Sequence, residues 1–263
     1  YIFYSMFGFQ RIGDLAWAAG DSRSRGFLLG ATAGRTTLNG EGLQHEDGHS
    51  HLLSATIPNC ISYDPCFGYE LAVIIQNGLE RMIKNQEDVF YYITIMNENY
   101  HHPEIPKNVN EGIIKGIYKY SENKTKGPKV QLMGSGVILR EVIEAASILE
   151  KEFNVSSTVF SVTSFTEVRR NALDIQRWNM LNPDKTEKKS TLDEIIIDLE
   201  SPIITATDYM KSFAEQIATF LPNKFISLGT DGFGRSDSRE ALRDFFEVDR
   251  HHIVIAALKA LNE

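Results

Sequence analysis

Short β-prone runs alternate with segments of helical periodicity along almost the whole chain. In residues 9–19, for example, apolar side chains recur at positions 12, 15, 16 and 19, which is the spacing of one helix face. A strand, a helix and another strand in succession favour a mostly parallel sheet with helices on both faces. In the first hundred residues the predicted strands lie at 1–7, 27–31, 57–63 and 89–96, and the predicted helices at 9–19 and 69–83.

A second alternation of the same kind follows a change in composition. Proline, asparagine and charged residues dominate 101–110, so we place a domain boundary there, which gives domains 1–105 and 106–263. Segment 110–120 is predicted to be an amphipathic bridge and 121–128 a polar loop. The later predicted strands are 130–133, 157–162, 203–207 and 225–228, and the helices 137–153, 166–178, 192–199, 209–220, 238–246 and 251–261. The predicted fold class is α/β.

Charge and composition exclude several classes of partner. The formal net charge of −8 over 263 residues argues against a nucleic-acid partner. No run approaches the ~20 apolar residues of a membrane span, and residues 1–9 lack the basic start and cleavage site of a signal peptide. We therefore expect a cytoplasmic protein in which Cys60 and Cys66 are reduced thiols. Because the first residue is Tyr1 rather than methionine, we expect a piece of something longer.

Residues 34–51 concentrate glycine, acids and histidines in one predicted loop. The acids are Glu41, Glu46 and Asp47, and the histidines are His45, His49 and His51. Histidine beside carboxylates supplies proton-transfer groups near neutral pH. Glu41 and His45, four residues apart, share a face if the loop makes one helical turn, and a carboxylate there would orient the imidazole and make it more basic.

Plainer interpretations of these residues stay open. The same loop groups could only cap turns and satisfy the backbone, and three histidines at short spacing could also hold a metal ion, although no hydrolase motif is present. Tyr4 and Phe7 could be ordinary core aromatics. Asp208 is a candidate helix N-cap. Residues 229–237 are predicted to form a tight turn that is capped by Asp231 and Ser236 and lacks the phosphate-loop pattern. The histidine pairs at 101–102 and 251–252 are expected to lie on the surface or in linkers.

Four runs in order give the chain a family resemblance. They are FYSMFGFQR at 3–11, GEGLQHEDGHSH at 40–51, SVTSFTE at 161–167 and GTDGFGRSD at 229–237. Together they resemble the homodimeric bacterial pyruvate dehydrogenase family, the thiamine-diphosphate-dependent decarboxylating component within the transketolase-like superfamily. The resemblance covers essentially the whole chain. It implies the C-terminal part of a pyrimidine-binding domain at 1–105, followed by a transketolase C-terminal-like domain at 106–263.

The resemblance also assigns roles to individual residues. It implies that Glu41 and His45 face the thiazolium carbon of the cofactor, with His45 placed for the substrate carboxylate or a proton. Phe7 would stack on the aminopyrimidine, and Tyr4 would offer its hydroxyl to the group derived from the substrate. Arg11 would support the surroundings of the ring, with a surface salt bridge as its alternative. His49 and His51 are expected to shape the loop by hydrogen bonding, and 229–237 to serve in interface and domain packing.

The implied activity is the oxidative decarboxylation of pyruvate with thiamine diphosphate and Mg²⁺. The acetyl group would pass to the lipoyl domain of a dihydrolipoyl acetyltransferase partner. The resemblance implies a homodimer, with the activating glutamate and the magnesium ligands upstream of this chain, so the chain alone should be inactive. Two alternatives are another transketolase-like enzyme, acting on a sugar or another 2-oxo acid, and a non-catalytic dimerisation or docking fragment.

Overall fold

Four parallel strands form the first sheet of the computed structural model, which describes residues 1–262. The strands are β1 (Ile2–Tyr4), β2 (Phe27–Ala31), β3 (Cys60–Tyr63) and β4 (Phe90–Ile95), arranged in the order β1-β2-β4-β3. Helices α1 (Ser5–Asp21), α2 (Ser50–Ala55) and α3 (Gly68–Leu79) connect them, and a π-helical turn, Glu80–Lys84, continues α3. The predicted parallel sheet is therefore confirmed.

Both faces of this sheet are covered, as the alternation along β4 shows. Phe90 and Tyr92 pack with Phe9 of α1 on one face, whereas Tyr91 and Ile93 pack with Ile74 of α3 on the other. Successive strand residues point to opposite faces, so a strand that is apolar throughout needs a helix on each side.

The second sheet has five strands in the order β5-β7-β6-β8-β9. Only β5 runs antiparallel to its neighbour, and the remaining pairs are parallel. The strands are β5 (Tyr118–Glu122), β6 (Lys129–Gly134), β7 (Ser156–Ser161), β8 (Ile203–Ala206) and β9 (Phe225–Leu228). The helices are α4 (Asn110–Lys115), α5 (Ile138–Phe153), α6 (Phe165–Leu181), α7 (Thr191–Ile195), α8 (Ser212–Glu215), α9 (Arg239–Phe245) and α10 (Arg250–Leu261). The α/β class is confirmed.

Four local predictions were wrong. The bridge at 110–120 and the loop at 121–128 missed β5, because α4 ends at Gly116 in a left-handed conformation and the chain then turns into an edge strand. The loop predicted at 34–51 runs two residues too far, because α2 begins at Ser50. The predicted helix 209–220 is only α8 and a 3₁₀ turn, Ala218–Phe220.

The carboxyl ends of the two sheets face each other. Asp64, just after β3, donates from its backbone N to the carbonyl of Thr163 (2.8 Å) and accepts from the N of Gly136 (2.9 Å), which follow β7 and β6. Ligand sites of parallel α/β sheets lie at this edge. The predicted boundary after residue 105 falls between the sheets and stays a prediction. Within the described residues, no helix has the length and apolarity needed to cross a membrane.

Candidate functional site

The five predicted site residues lie together at the carboxyl end of β1 and β2. Tyr4 ends β1, Phe7 and Arg11 lie on the first turns of α1, and the loop after β2 brings the His45 ring against both aromatic rings. The ring centroid of His45 is 5.4 Å from that of Tyr4 and 4.7 Å from that of Phe7. The guanidinium carbon of Arg11 lies 4.1 Å from the centre of the Phe7 ring, within the range of a cation–π contact.

Glu41 approaches the imidazole of His45 from the same loop. One turn of 3₁₀ helix, Leu43–His45, begins after Gly42, and the N of His45 donates to the carbonyl of Gly42 (2.9 Å). This turn puts Oε2 of Glu41 3.3 Å from Nδ1 of His45, but without hydrogen-bond geometry. Tyr4 is 46% exposed, so a ligand can reach the cluster from solvent. The arrangement offers an acid–base pair beside two aromatic rings.

A buried carboxylate from the second sheet holds the start of the loop. Oδ1 of Asp208 accepts hydrogen bonds from the N (2.8 Å) and Oγ1 (2.7 Å) of Thr36. Oδ2 accepts from the N (3.2 Å) and Oγ1 (2.6 Å) of Thr37. The prediction that Asp208 caps a helix is therefore wrong, since α8 begins at Ser212 and its N-cap position is Lys211. Burial raises the pKa of the Asp208 carboxyl, against these hydrogen bonds.

The turn at 229–237 packs directly on the same loop. Nη1 of the buried Arg35 donates to the carbonyls of Thr230 and Gly232, and the buried Oε2 of Glu46 accepts from the backbone N of Arg235. Burial raises the pKa of Glu46 to about 7, partly opposed by that hydrogen bond. The predicted role in domain packing agrees with these contacts.

Capping in this turn differs from the prediction. Ser238, rather than Ser236, caps α9 and accepts from the N of Ala241 (3.3 Å). Asp231 accepts instead from the N of Lys211 (3.0 Å).

The other two loop histidines form hydrogen bonds, as expected. A ring nitrogen of His49 contacts the side-chain amide of Gln10. Nε2 of the buried His51 lies 3.0 Å from Oγ1 of Thr94, and the imidazole stacks on the ring of Phe213 with 4.8 Å between the ring centroids. Burial lowers the pKa of His51 to about 4, so the ring is neutral near pH 7.

The three loop histidines do not form a metal site. Across residues 1–262, the grouping of metal-ligating atoms that does occur is Asp244, Asp249 and His252, in the region of α9 and α10. There, Asp249 caps α10 and lies 2.9 Å from Nδ1 of His252.

Sequence reasoning missed a buried polar cluster beneath the loop. Asp64 accepts from Oγ1 of Thr94 (2.7 Å) and from Oγ of Ser135 (2.9 Å), and Ser135 lies 3.0 Å from Oγ1 of Thr207. Burial raises the pKa of Asp64 to about 7, against the hydrogen bonds from Thr94 and Ser135. Three of these residues directly follow β3, β6 and β8, and polar residues after predicted parallel strands were the available signal.

Comparison with known proteins identifies both halves of the chain. Residues 1–103 match the family described as pyruvate dehydrogenase E1 component middle domain. Residues 116–249 match the transketolase-like C-terminal domain family. The pyruvate dehydrogenase E1 components of Pseudomonas aeruginosa and Escherichia coli are 62% and 60% identical over 263 residues, each across 99% of this chain. The chain spans 30% and 29% of their respective lengths.

A solved structure shares the fold. The crystal structure of transketolase from Campylobacter jejuni covers 98% of this chain and 35% of its own, with a TM-score of 0.73. At 16% identity this likeness concerns the fold alone. The two family matches and the curated relatives together place the sequence. The chain belongs to the pyruvate dehydrogenase E1 component family of transketolase-like proteins.

Proposed function

We propose that this chain supplies one wall of the active site of a thiamine-diphosphate-dependent pyruvate dehydrogenase. The full-length protein would decarboxylate pyruvate oxidatively and pass the acetyl group to a lipoyl domain of an acetyltransferase partner in the cytoplasm. The observation that carries the proposal is the convergence of Tyr4, Phe7 and Arg11 with Glu41 and His45 from a separate element.

The donor set of this cluster suits thiamine diphosphate. The aromatic ring of Phe7 can pack against a heteroaromatic ring, and Arg11 on that ring holds it in place. The buried Nδ1 of His45 lacks a hydrogen-bond partner, so the imidazole keeps capacity to bind or move a proton. Thiamine diphosphate, when bound, supplies the electron sink for decarboxylation. The diphosphate and Mg²⁺ would be held by residues outside this chain.

Three side chains would act on the substrate. His45 would hold a proton at a ring nitrogen and transfer it near the substrate carboxylate. Glu41, 3.3 Å from Nδ1, would orient the imidazole so that Nε2 is presented to the ligand. Tyr4 would donate its hydroxyl hydrogen to an oxygen of pyruvate. The three roles need no movement of the loop, since the side chains already lie together.

Exposed apolar side chains support a homodimer. Several large apolar residues of β1, α1 and the 3₁₀ turn are exposed to solvent: Ile2, Leu15, Trp17 and Leu43. Exposed apolar surface around a functional site marks an interaction surface. A second subunit that covers Leu43, in the same 3₁₀ turn as His45, would close the site from the open face.

Substitution in the full-length protein tests the roles. We expect His45→Ala, Glu41→Gln and Tyr4→Phe each to lower kcat for pyruvate-dependent lipoyl acetylation, by about 100-fold or more for His45, the usual contribution of a general acid–base group. His251→Ala, at a largely exposed histidine, is the matched control and should keep wild-type activity. Wild-type rates in all three site variants would refute the assignment.

Two further measurements address the alternatives. Transketolase activity on sugar phosphates without pyruvate turnover would favour another transketolase-like enzyme. Calorimetric titration of the isolated chain with thiamine diphosphate and Mg²⁺ should detect no tight binding, because the proposed anchoring residues lie elsewhere. Micromolar binding by the chain alone would contradict that expectation.

A further inference from the structure

The contacts recorded for the His45 side chain within the first sheet and its loop are not hydrogen bonds. Within residues 1–262, its ring packs against those of Tyr4 and Phe7, and Glu41 approaches its Nδ1 without hydrogen-bond geometry. The backbone of the 3₁₀ turn is held by short-range bonds within the loop. A loop rich in glycine and tied only to itself would be mobile. Contacts with other parts of the chain would restrict that motion.

The turn at 229–237, from the second sheet, contacts the loop at three places. Arg35 donates to two carbonyls of the turn near the start of the loop. In the middle, the N of Gly40 donates to the carbonyl of Asp237 (3.1 Å). Directly after the histidine, Glu46 accepts from the N of Arg235. Three contacts spread over twelve residues restrict the loop more than one contact of equal strength.

Glu46 is the contact nearest to His45, and space around it is tight. A Cβ atom added at Gly234 would lie 2.6 Å from Oε2 of Glu46 and 3.2 Å from the carbonyl oxygen of Leu43, which begins the 3₁₀ turn. The side chain of Glu46 is fully buried, and the hydrogen bond that it accepts comes from the backbone of the 229–237 turn. Its hydrogen bond therefore serves position rather than chemistry.

We propose that Glu46 is a positioning residue: its hydrogen bond to Arg235 of the 229–237 turn holds His45 in place beside Tyr4 and Phe7. The catalytic side of this inference rests on the proposed function. Its physical side, the anchoring of the loop by Glu46, does not. The substitution Glu46→Ala removes the hydrogen-bond acceptor. The substitution Gly234→Ala, made in the turn, adds a methyl group that displaces the Glu46 carboxylate from the backbone N of Arg235. Glu46→Gln keeps one side-chain oxygen that can accept from the N of Arg235.

Hydrogen–deuterium exchange in the full-length protein tests the physical side. We expect Glu46→Ala and Gly234→Ala to speed exchange of the amides in 40–48 by about tenfold or more, the effect of losing one buried hydrogen bond on local opening. In Glu46→Gln, the same amides should exchange at a rate close to that of the wild-type protein. The matched control is Glu70→Ala, which removes another buried, hydrogen-bonded glutamate. It should speed exchange near its own site and leave 40–48 unchanged.

Kinetics test the catalytic side in the same variants. Glu46→Ala should lower kcat while the KM for pyruvate changes little, and Glu46→Gln should restore kcat. Unchanged exchange in 40–48 for both Glu46→Ala and Gly234→Ala would overturn the proposal, and so would loss of activity in Glu46→Gln with wild-type exchange. Full activity of His45→Ala would instead overturn the proposed function, while the exchange result would still decide the anchoring.

Discussion

Gly34 is the position where adding one methyl group tests the contact between the two sheets most directly. A Cβ at Gly34 would lie 2.2 Å from Oδ2 of Asp208, so the carboxylate must move by about 1 Å to reach ordinary contact. The two hydrogen bonds from Thr37 to Oδ2, at 2.6 and 3.2 Å, would not survive such a shift. Because an unsatisfied buried polar group costs about 1–3 kcal/mol, we expect Gly34→Ala to cost about 3 kcal/mol from this contact alone.

Gly40 provides a matched control in the same loop. Both glycines have positive φ, +90° at Gly34 and +71° at Gly40, but a Cβ at Gly40 would meet nothing within 4 Å. Both alanine variants therefore carry backbone strain of about 1–2 kcal/mol. Gly34→Ala adds the displaced carboxylate and a milder approach, 3.2 Å, to Cβ of Thr37. The difference between the two variants is therefore dominated by the contact with Asp208.

Urea unfolding of the purified variants, followed by circular dichroism, measures this difference. With a slope of about 3 kcal/mol per molar urea, the midpoint of Gly34→Ala should lie about 1 M below that of Gly40→Ala. In the background of Asp208→Ala, where the carboxylate is absent, the two variants should have equal midpoints. Equal midpoints in the wild-type background would refute the reasoning, since strain alone would then explain both costs.

Three further outcomes follow from burial and capping. Burial raises the pKa of Asp64 to about 7, so the stability that its protonated form contributes is full below about pH 4, the pKa of this carboxyl in the unfolded chain, and is lost as the pH rises through 7. Asp64→Asn should make the urea midpoint fall less steeply with rising pH, while Glu46, whose pKa burial also raises to about 7, keeps part of the slope. Burial raises the pKa of the Cys60 and Cys66 thiols, so Ellman's reagent should label them only as the protein unfolds, and immediate labelling would contradict their burial. Ser190 caps α7 in a reciprocal pair with Asp193, and Ser190→Ala should cost about 1 kcal/mol in the same urea assay.

The fold was predictable where strands are buried on both faces. The run predicted at 203–207 coincides with β8, whose four residues are all buried, because a short apolar segment between helices has few other placements. Strand β5 escaped prediction because it lies at an edge, where Lys119 and other polar residues break the apolar pattern. The helix predicted at 209–220 failed because Tyr209 and Asp208 are buried in contacts with the first sheet, and tertiary contacts override local propensity.

The candidate site was predictable only in part. Spacing alone left the catalytic interpretation of Glu41 and His45 open beside plain turn capping. The four matching runs favoured it and added Tyr4, Phe7 and Arg11. The groups that hold the loop were not predictable, because Thr36 and Asp208 are 172 positions apart and Glu46 and Arg235 are 189 positions apart. A single sequence contains no signal that pairs residues at such separations. Periodicity describes elements, and these contacts exist only after the elements have packed.

The long-range contacts of the 34–51 loop have a consequence during synthesis of the protein. The first sheet can form once residue 95 has left the ribosome, since its last strand ends there. The partners of Arg35, Gly40 and Glu46 lie at 230–237, roughly 140 residues later, which takes on the order of ten seconds at ordinary translation rates. We expect the loop to stay unfixed throughout that interval. A nascent chain would thus carry a folded first sheet well before it carries an ordered His45.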